Sequence, residues 1–290
     1  MKFSAFASGR SSLKGSGVKR DLKNLLCCLV VAVCGLGAGM GLRAQTAVPA
    51  NAPEVKAPTA PPPCAPVAPV KNDYWQKHDD QVLHDFGWLA KFKEADLALA
   101  APAAGENRVV FMGDSITEGW HFTGAEGWFN GKPYVNRGIS GQTSPQMLVR
   151  FRQDVIALQP KVVVILAGTN DIAGNTGPMT LEQTEDNLAS MAELAAAHHI
   201  RVVLCSVLPA FDFPWKPGLD PAPKILQINA WIKNYAAQKG FVFVDFHTAM
   251  KDGRDGLPAT LSHDGVHPLP AGYAVMTPLV EAGIAQALAR

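Results

Sequence analysis

Four short stretches of this chain hold residues whose types and spacing suit acyl-transfer chemistry. Gly113-Asp114-Ser115 follows the apolar run Val109-Val110-Phe111-Met112. A serine just past a glycine at a strand end presents its hydroxyl above a sheet, but a free hydroxyl is a weak nucleophile and needs a base to take its proton. Asp264-Gly265-Val266-His267 offers that base. An acid three residues ahead of an imidazole can hold the ring in one tautomer and leave its other nitrogen free to accept a proton. In Val135-Asn136-Arg137-Gly138-Ile139-Ser140-Gly141 a strand ends in two glycines, which lets a backbone N–H come close to a substrate. Gly168-Thr169-Asn170-Asp171 follows Val162–Ala167 and offers a side-chain amide to a developing oxyanion. Each stretch also has a plainer reading. Gly-Asp-Ser and Asp-Gly are ordinary turn chemistry, glycines suit any loop, and Thr-Asn-Asp suits an Asx turn. The first is not the Gly-x-Ser-x-Gly elbow of α/β-hydrolases either, because Thr117 stands two residues after Ser115.

Such groups act together only if the fold brings them to one edge. The apolar runs Val109–Met112, Tyr134–Val135, Val162–Ala167, Arg201–Leu208 and Phe241–Phe246 are short and rich in Val and Ile. Runs of that kind suit strands buried on both faces, as in a parallel sheet. Amphipathic helices lie between them. Thr180 and Gln183 form a capping-box pattern ahead of Leu181, Leu188, Met191 and Leu194. Ile225, Ile228, Trp231, Ile232 and Tyr235 mark one face of another helix, and a last helix spans about 272–289. Residues 73–100 also carry a helical pattern in Trp75, Val82, Phe86, Leu89 and Phe92. The alternation predicts an α/β fold: a doubly wound, mainly parallel five-stranded sheet with helices on both faces. Ligands of such sheets bind at the C-terminal ends of the strands, where all four stretches fall.

Taken together and in this order, the four stretches resemble the SGNH family of hydrolases, also called GDSL-like, over about Val109–Tyr273. The resemblance implies a flavodoxin-like three-layer sandwich and a serine esterase that needs no cofactor or metal. It makes Ser115 the nucleophile, His267 the base and Asp264 the group that orients it. It assigns the oxyanion hole to the N–H groups of Ser115 and Gly141 and to the side-chain amide of Asn170. Ile116 stands where the family name has Leu, a departure that touches no chemistry. The stretches Gly113–Trp120 and Asp264–Pro268 look most like bacterial acetylhydrolases related to platelet-activating-factor acetylhydrolases. The expected substrate is a short acyl ester, acetyl above all, on a small molecule or a glycan. Lysophospholipase or thioesterase activity is the family alternative, and a non-catalytic glycan-binding protein of the same fold is the other. A metal site from His247, His263 and His267 with Asp245 or Asp264 is a further rival, but it lacks the spacing of a helix-borne site.

For the substrate pocket the candidates are aromatic. Trp120, Trp128 and Phe129 could stack on a sugar ring. Phe211, Phe213 and Trp215 lie in a proline-stiffened stretch, 211–223, that leaves the active edge of the sheet. Four prolines argue against helix or strand there, so the three rings are expected to wall the pocket rather than join the core.

The rest of the 290 residues sets the context. Seven basic residues and one acidic residue fall in 1–44, which leaves the remainder at a net charge of −5. An acidic body of that kind has no electrostatic footprint for nucleic acid. In 1–44 a basic stretch ending at Lys23 precedes the apolar run Leu25–Leu42, and Leu42-Arg43-Ala44 offers a small-residue cleavage site. This reads as an export signal, leaving no stable membrane insertion; an uncleaved anchor is the alternative. Residues 46–70 are rich in Ala, Pro and Val, so 45–71 reads as a disordered tether, with the hydrolase domain at 72–290. Three of the five cysteines lie in the signal, and a bridge between Cys64 and Cys205 is not favoured.

Overall fold

The structure, a computed structural model, describes residues 73–120 and 129–290. The expected signal, tether and Cys64, and Trp128 in the second gap, lie outside the described residues. The described chain begins with α1 (Asp73–His84) and α2 (Lys93–Ala98), then alternates. It runs β1 (Val109–Gly113), α3 (Ser115–Gly119), β2 (Tyr134–Gly138), α4 (Ser144–Asp154), β3 (Val162–Leu166) and α5 (Thr169–Ala173). It continues through α6 (Leu181–Ala197), β4 (Arg201–Cys205), α7 (Ala222–Lys239), β5 (Val242–Val244), α8 (Phe246–Met250) and α9 (Pro270–Leu288).

All five strands are parallel, in the order β2-β1-β3-β4-β5. Alternate side chains feed two cores. Val110, Met112, Val163, Ile165, Val202 and Leu204 pack on one face against apolar residues of α4, α6 and α7. Val109, Phe111, Val164, Leu166, Val203 and Val244 pack on the other against α3, α8 and α9. The chain leaves β1 to one side for β2 and returns to the other side for β3. The crevice of such a sheet opens at this reversal, at the C-terminal ends of β1 and β3. Ser115 and Asn170 follow those two ends.

The helical pattern over 73–100 resolves into two short helices rather than one. Asp85 ends the first by accepting the N–H groups of Leu89 and Ala90 (2.9 and 3.0 Å). Trp88 takes φ +53, which no continuous helix allows. Three strand runs overshoot, that of β3 by the single residue Ala167. β5 stops at Val244 because Asp245 caps α8 through the Thr248 N–H, and β4 stops at Cys205. The capping box at Thr180 and Gln183 is present as read.

Candidate active site

β1 runs straight into α3 with a single residue between them. Asp114 is the N-cap, accepting the Ile116 N–H at 3.0 Å. That tight turn needs Gly113, since a Cβ there would lie 2.0 Å from Thr117 Oγ1 and 2.9 Å from the Leu166 carbonyl. Ser115 therefore opens α3 with its side chain partly exposed at the sheet edge. Its Oγ is 2.9 Å from His267 Nε2. His267 Nδ1 is 2.6 Å from Asp264 Oδ2. A carboxylate can only accept, so Nδ1 carries the proton, and Nε2 is left to accept from the Ser115 hydroxyl.

The loop that carries the pair is self-bracing. Asp264 Oδ1 accepts the N–H groups of Val266 and His267 (2.9 and 2.8 Å) and the Ser262 hydroxyl (3.0 Å). Burial alone would raise the Asp264 carboxyl. The bonds from the His267 side chain and from the His267 and Val266 backbones outweigh it and hold the group down at about 2.

Gly141 lies in the loop between β2 and α4 with φ +79, a conformation that favours glycine. Among the described turns and loops, neither the Ser115 nor the Gly141 N–H is spent on a backbone acceptor. Asn170 differs. It is 3 % exposed, and its amide nitrogen donates to the Gln142 carbonyl at 3.0 Å and to Asp114 Oδ2 at 3.3 Å. Burial pushes the carboxyls of Asp114 and Asp171 up, to about 7 and about 6, against the hydrogen bonds that favour their ionised forms.

Supporting residues that the motifs do not reveal complete the arrangement. Asn175 donates to Asn170 Oδ1 at 2.8 Å and to the Gly141 carbonyl at 3.3 Å, and its own Oδ1 accepts the Trp215 indole N–H at 3.1 Å. Arg150 of α4 is wholly buried. It pairs with Asp154 (2.9 Å), donates to Gln142 Oε1 (2.6 Å) and ties down the carbonyls of Gly113 and Arg137 (3.1 and 2.8 Å). The available signals were slight: an Asn five residues after Asn170, and an Arg inside an unassigned helix.

Three expected pocket residues belong to the core instead. Trp120 is 1 % exposed, ringed by Phe111, Phe246 and Tyr273, and its indole N–H donates to Thr277. It follows α3 on the face covered by α9, so it has no surface to offer a ligand. Phe129 is buried in the same cluster. Phe213 is 0 % exposed and sits in the opposite core. Asp212 folds the loop back by accepting the N–H groups of Phe213 and Gly218, which turns Phe213 inward. The loop also ends earlier than read, because Pro223 falls in the first turn of α7, where proline is tolerated. Trp215 borders the site: it stacks on Phe213 (5.1 Å between centroids, 13°) and lies 6.1 Å from the His267 ring. Phe211 is half exposed, with the Arg254 guanidinium 4.7 Å from its ring centre. It lines a cavity of about 280 Å³ that also touches Asp264 and Gly265. Among the described residues, no group of three or more His, Cys, Asp or Glu is placed to hold a metal.

A family model for the GDSL-like lipase/acylhydrolase family matches residues 111–275, which span Ser115, Gly141, Asn170, Asp264 and His267. The chain belongs to this family. An esterase, TesA, of Pseudomonas aeruginosa is 31 % identical over 186 residues, covering 59 % of this chain and 85 % of that protein. An acetylxylan esterase of Xylanibacter ruminicola is 29 % identical over 249 residues, 72 % of this chain; this chain spans about half (48 %) of that relative's length. Among solved structures, a GDSL-like lipase from Bacteroides thetaiotaomicron is 47 % identical with a TM-score of 0.68, covering 70 % of this chain and 100 % of its own.

Proposed function

We propose that this GDSL-family protein is an exported serine esterase that hydrolyses short-chain esters, acetyl above all, on a carbohydrate. The observation that carries the reading is the line Ser115 Oγ, His267 Nε2 and Nδ1, Asp264 Oδ2, with steps of 2.9 and 2.6 Å. His267 takes the Ser115 proton as the oxygen attacks the ester carbonyl, then returns it to the departing alcohol. Water, activated by the same imidazole, releases the acid from the acyl-enzyme. Asp264 stays ionised and stabilises the imidazolium. The N–H groups of Ser115 and Gly141 point charge at the oxyanion from fixed backbone. Asn170 joins them by giving up the longer of its two bonds, the 3.3 Å one to Asp114. Burial keeps the Asp114 carboxyl easily protonated, so it bears the loss of that donor.

The carbohydrate part of the reading is supported by acetylxylan esterases among the relatives and by Trp215 beside His267. The exported part is supported by the basic and apolar order of residues 1–44. No helix among the described residues is long and apolar enough to cross a membrane. The test is turnover of p-nitrophenyl acetate with trapping of the acylated peptide that contains Ser115. A chain-length panel accompanies it. Rates that rise steadily from acetate to decanoate would favour a lipolytic or thioesterase role instead, and no acylation at Ser115 would overturn the mechanism.

A further inference from the structure

The segment ahead of β1 adds nothing to the proposed triad, yet it packs against the loop that carries Gly141. A Cβ built on Gly141 would lie 3.0 Å from the Tyr74 hydroxyl and 3.5 Å from His78 Nε2, both on α1. The Tyr74 hydroxyl is also 3.3 Å from Ser140 Oγ. Between α1, Trp88 and Glu118 of α3 lies a pocket of about 400 Å³, with Ser140 in its wall. That volume falls within the ordinary range of small-molecule sites, about 300–1,000 Å³.

Three features give the pocket a chemistry. The His78 side chain is only 8 % exposed; its Nδ1 is 3.3 Å from Asp79 Oδ1, while its buried Nε2 has no hydrogen-bond partner among the described residues. A buried nitrogen left unpaired is costly, so this atom marks a place for a ligand group. Trp88 is held at φ +53, a strained conformation for a bulky residue; it lines the cavity, with Lys91 Nζ 4.7 Å from its ring centre. Glu118 ties the pocket to the site: its Oε2 accepts the Ser140 N–H at 2.9 Å, and its Oε1 is 3.7 Å from Lys91 Nζ. Lys77 and Gln81 add further polar groups to the lining.

We infer that this pocket binds one pyranose ring of the acylated carbohydrate. The inference rests on the esterase reading above and adds where the glycan lies. A sugar has apolar C–H faces for aromatic walls and hydroxyls around its edge for polar groups. One hydroxyl donates to His78 Nε2, and others meet Lys77 and Gln81. A plain acyl chain would fill the volume but leave Nε2 unpaired. Tyr74, His78 and Trp88 all precede residue 111, where the family match begins. The subsite thus joins residues outside the matched span to Glu118 and Ser140 within it.

Calorimetric titration of the full chain with xylotriose, cellotriose and chitotriose tests this, with octanoate as the rival ligand. At least one trisaccharide should bind, and His78→Phe, which keeps a ring but loses the acceptor, should weaken it at least tenfold. Trp88→Ala should do the same, and His78→Gln, which restores an acceptor, should recover part of the loss. Should Trp88→Ala fail to fold, Lys77→Ala at the exposed rim replaces it, with a loss of about threefold. No trisaccharide binding, or binding unchanged within twofold in both His78→Phe and the second variant, overturns the inference. So does octanoate binding that is lost in the same variants. Wild-type turnover of p-nitrophenyl acetate is measured alongside. Turnover without sugar binding sinks the subsite alone; sugar binding lost in His78→Phe, with no turnover, sinks the esterase reading alone.

Discussion

Asn175→Ala tests whether the proposed oxyanion hole depends on residues behind it. The substitution removes one amide and with it three contacts: to Asn170 Oδ1, to the Gly141 carbonyl and from the Trp215 indole. Asn170 is 3 % exposed, so water has little room to replace its lost partner. Two good hydrogen bonds at about 0.5–1.5 kcal/mol each put the stability loss near 2 kcal/mol. For a domain of this size that is a fall of roughly 4–8 °C in Tm. The effect on rate is bounded by the donor it positions. Deleting a proposed oxyanion donor outright, as in Asn170→Ala, should cost about 10²–10³ in kcat. Loosening that donor should cost less, about 10–10²-fold in kcat with KM little changed. The assay is steady-state turnover of p-nitrophenyl acetate by the wild type, both single variants and the double variant. If Asn175 acts through Asn170, the double variant should be little slower than Asn170→Ala alone. Asn175→Asp should be no better than Ala, because it sets a carboxylate against Asn170 Oδ1 and the Gly141 carbonyl. A kcat for Asn175→Ala within twofold of wild type, or losses that multiply in the double variant, would refute the reasoning.

Ser115→Ala and His267→Ala should each abolish most turnover without lowering Tm, and the double variant should be no slower than the worse single one. Trp215→Ala should change the ratio of kcat/KM between bulky and small acetate esters at least tenfold; equal losses on every ester, with a lower Tm, would make Trp215 a structural residue only. Arg150→Met should cost about 3–5 kcal/mol in urea denaturation, because it strands the wholly buried Asp154, and Arg150→Met with Asp154→Leu should recover much of that. Asp114 titrates near 3.9 when unfolded and at about 7 when folded. Between those values the folded state keeps a proton that the unfolded state has lost, so this group makes stability fall as pH rises from about 4 to 7. Asp171 acts the same way up to about 6. Asp114→Asn should therefore flatten the Tm profile between pH 6 and 7, and an unchanged slope there would place the carboxyl's titration elsewhere. Asp264 has the opposite sign: its contribution is present above about 4 and is lost as pH falls toward 2.

What the sequence reveals here, and what it hides, follows from how far apart the interacting residues lie along the chain. The five strands were legible because strands covered on both faces need unbroken apolar runs, and each run is followed by a turn or a cap. Asp264 and His267 were legible as a pair because they are three residues apart and one turn sets their geometry. Ser115 was legible because Gly113 permits the turn that exposes it. The groups that steady these residues are long-range. Asn175 meets Trp215 40 positions away, and Arg150 reaches back 37 positions to Gly113. No local pattern separates such an Asn or Arg from one that points to solvent.

The aromatic residues show the same limit from the other side. Trp120 and Trp215 both lie close in sequence to a motif or to the active edge, and both have the chemistry to stack on a sugar. One is sealed under α9 and the other stands 6.1 Å from His267. Within three residues, Phe213 turns into the core and Trp215 stacks on its outer face. The difference comes from Asp212, whose carboxylate ties the loop to Gly218 and so decides which ring faces inward. The buried Phe213 ring then serves as the platform that holds Trp215 against the site. On this argument Asp212→Ala should disturb substrate preference in the same direction as Trp215→Ala, although Asp212 touches neither His267 nor the proposed oxyanion donors.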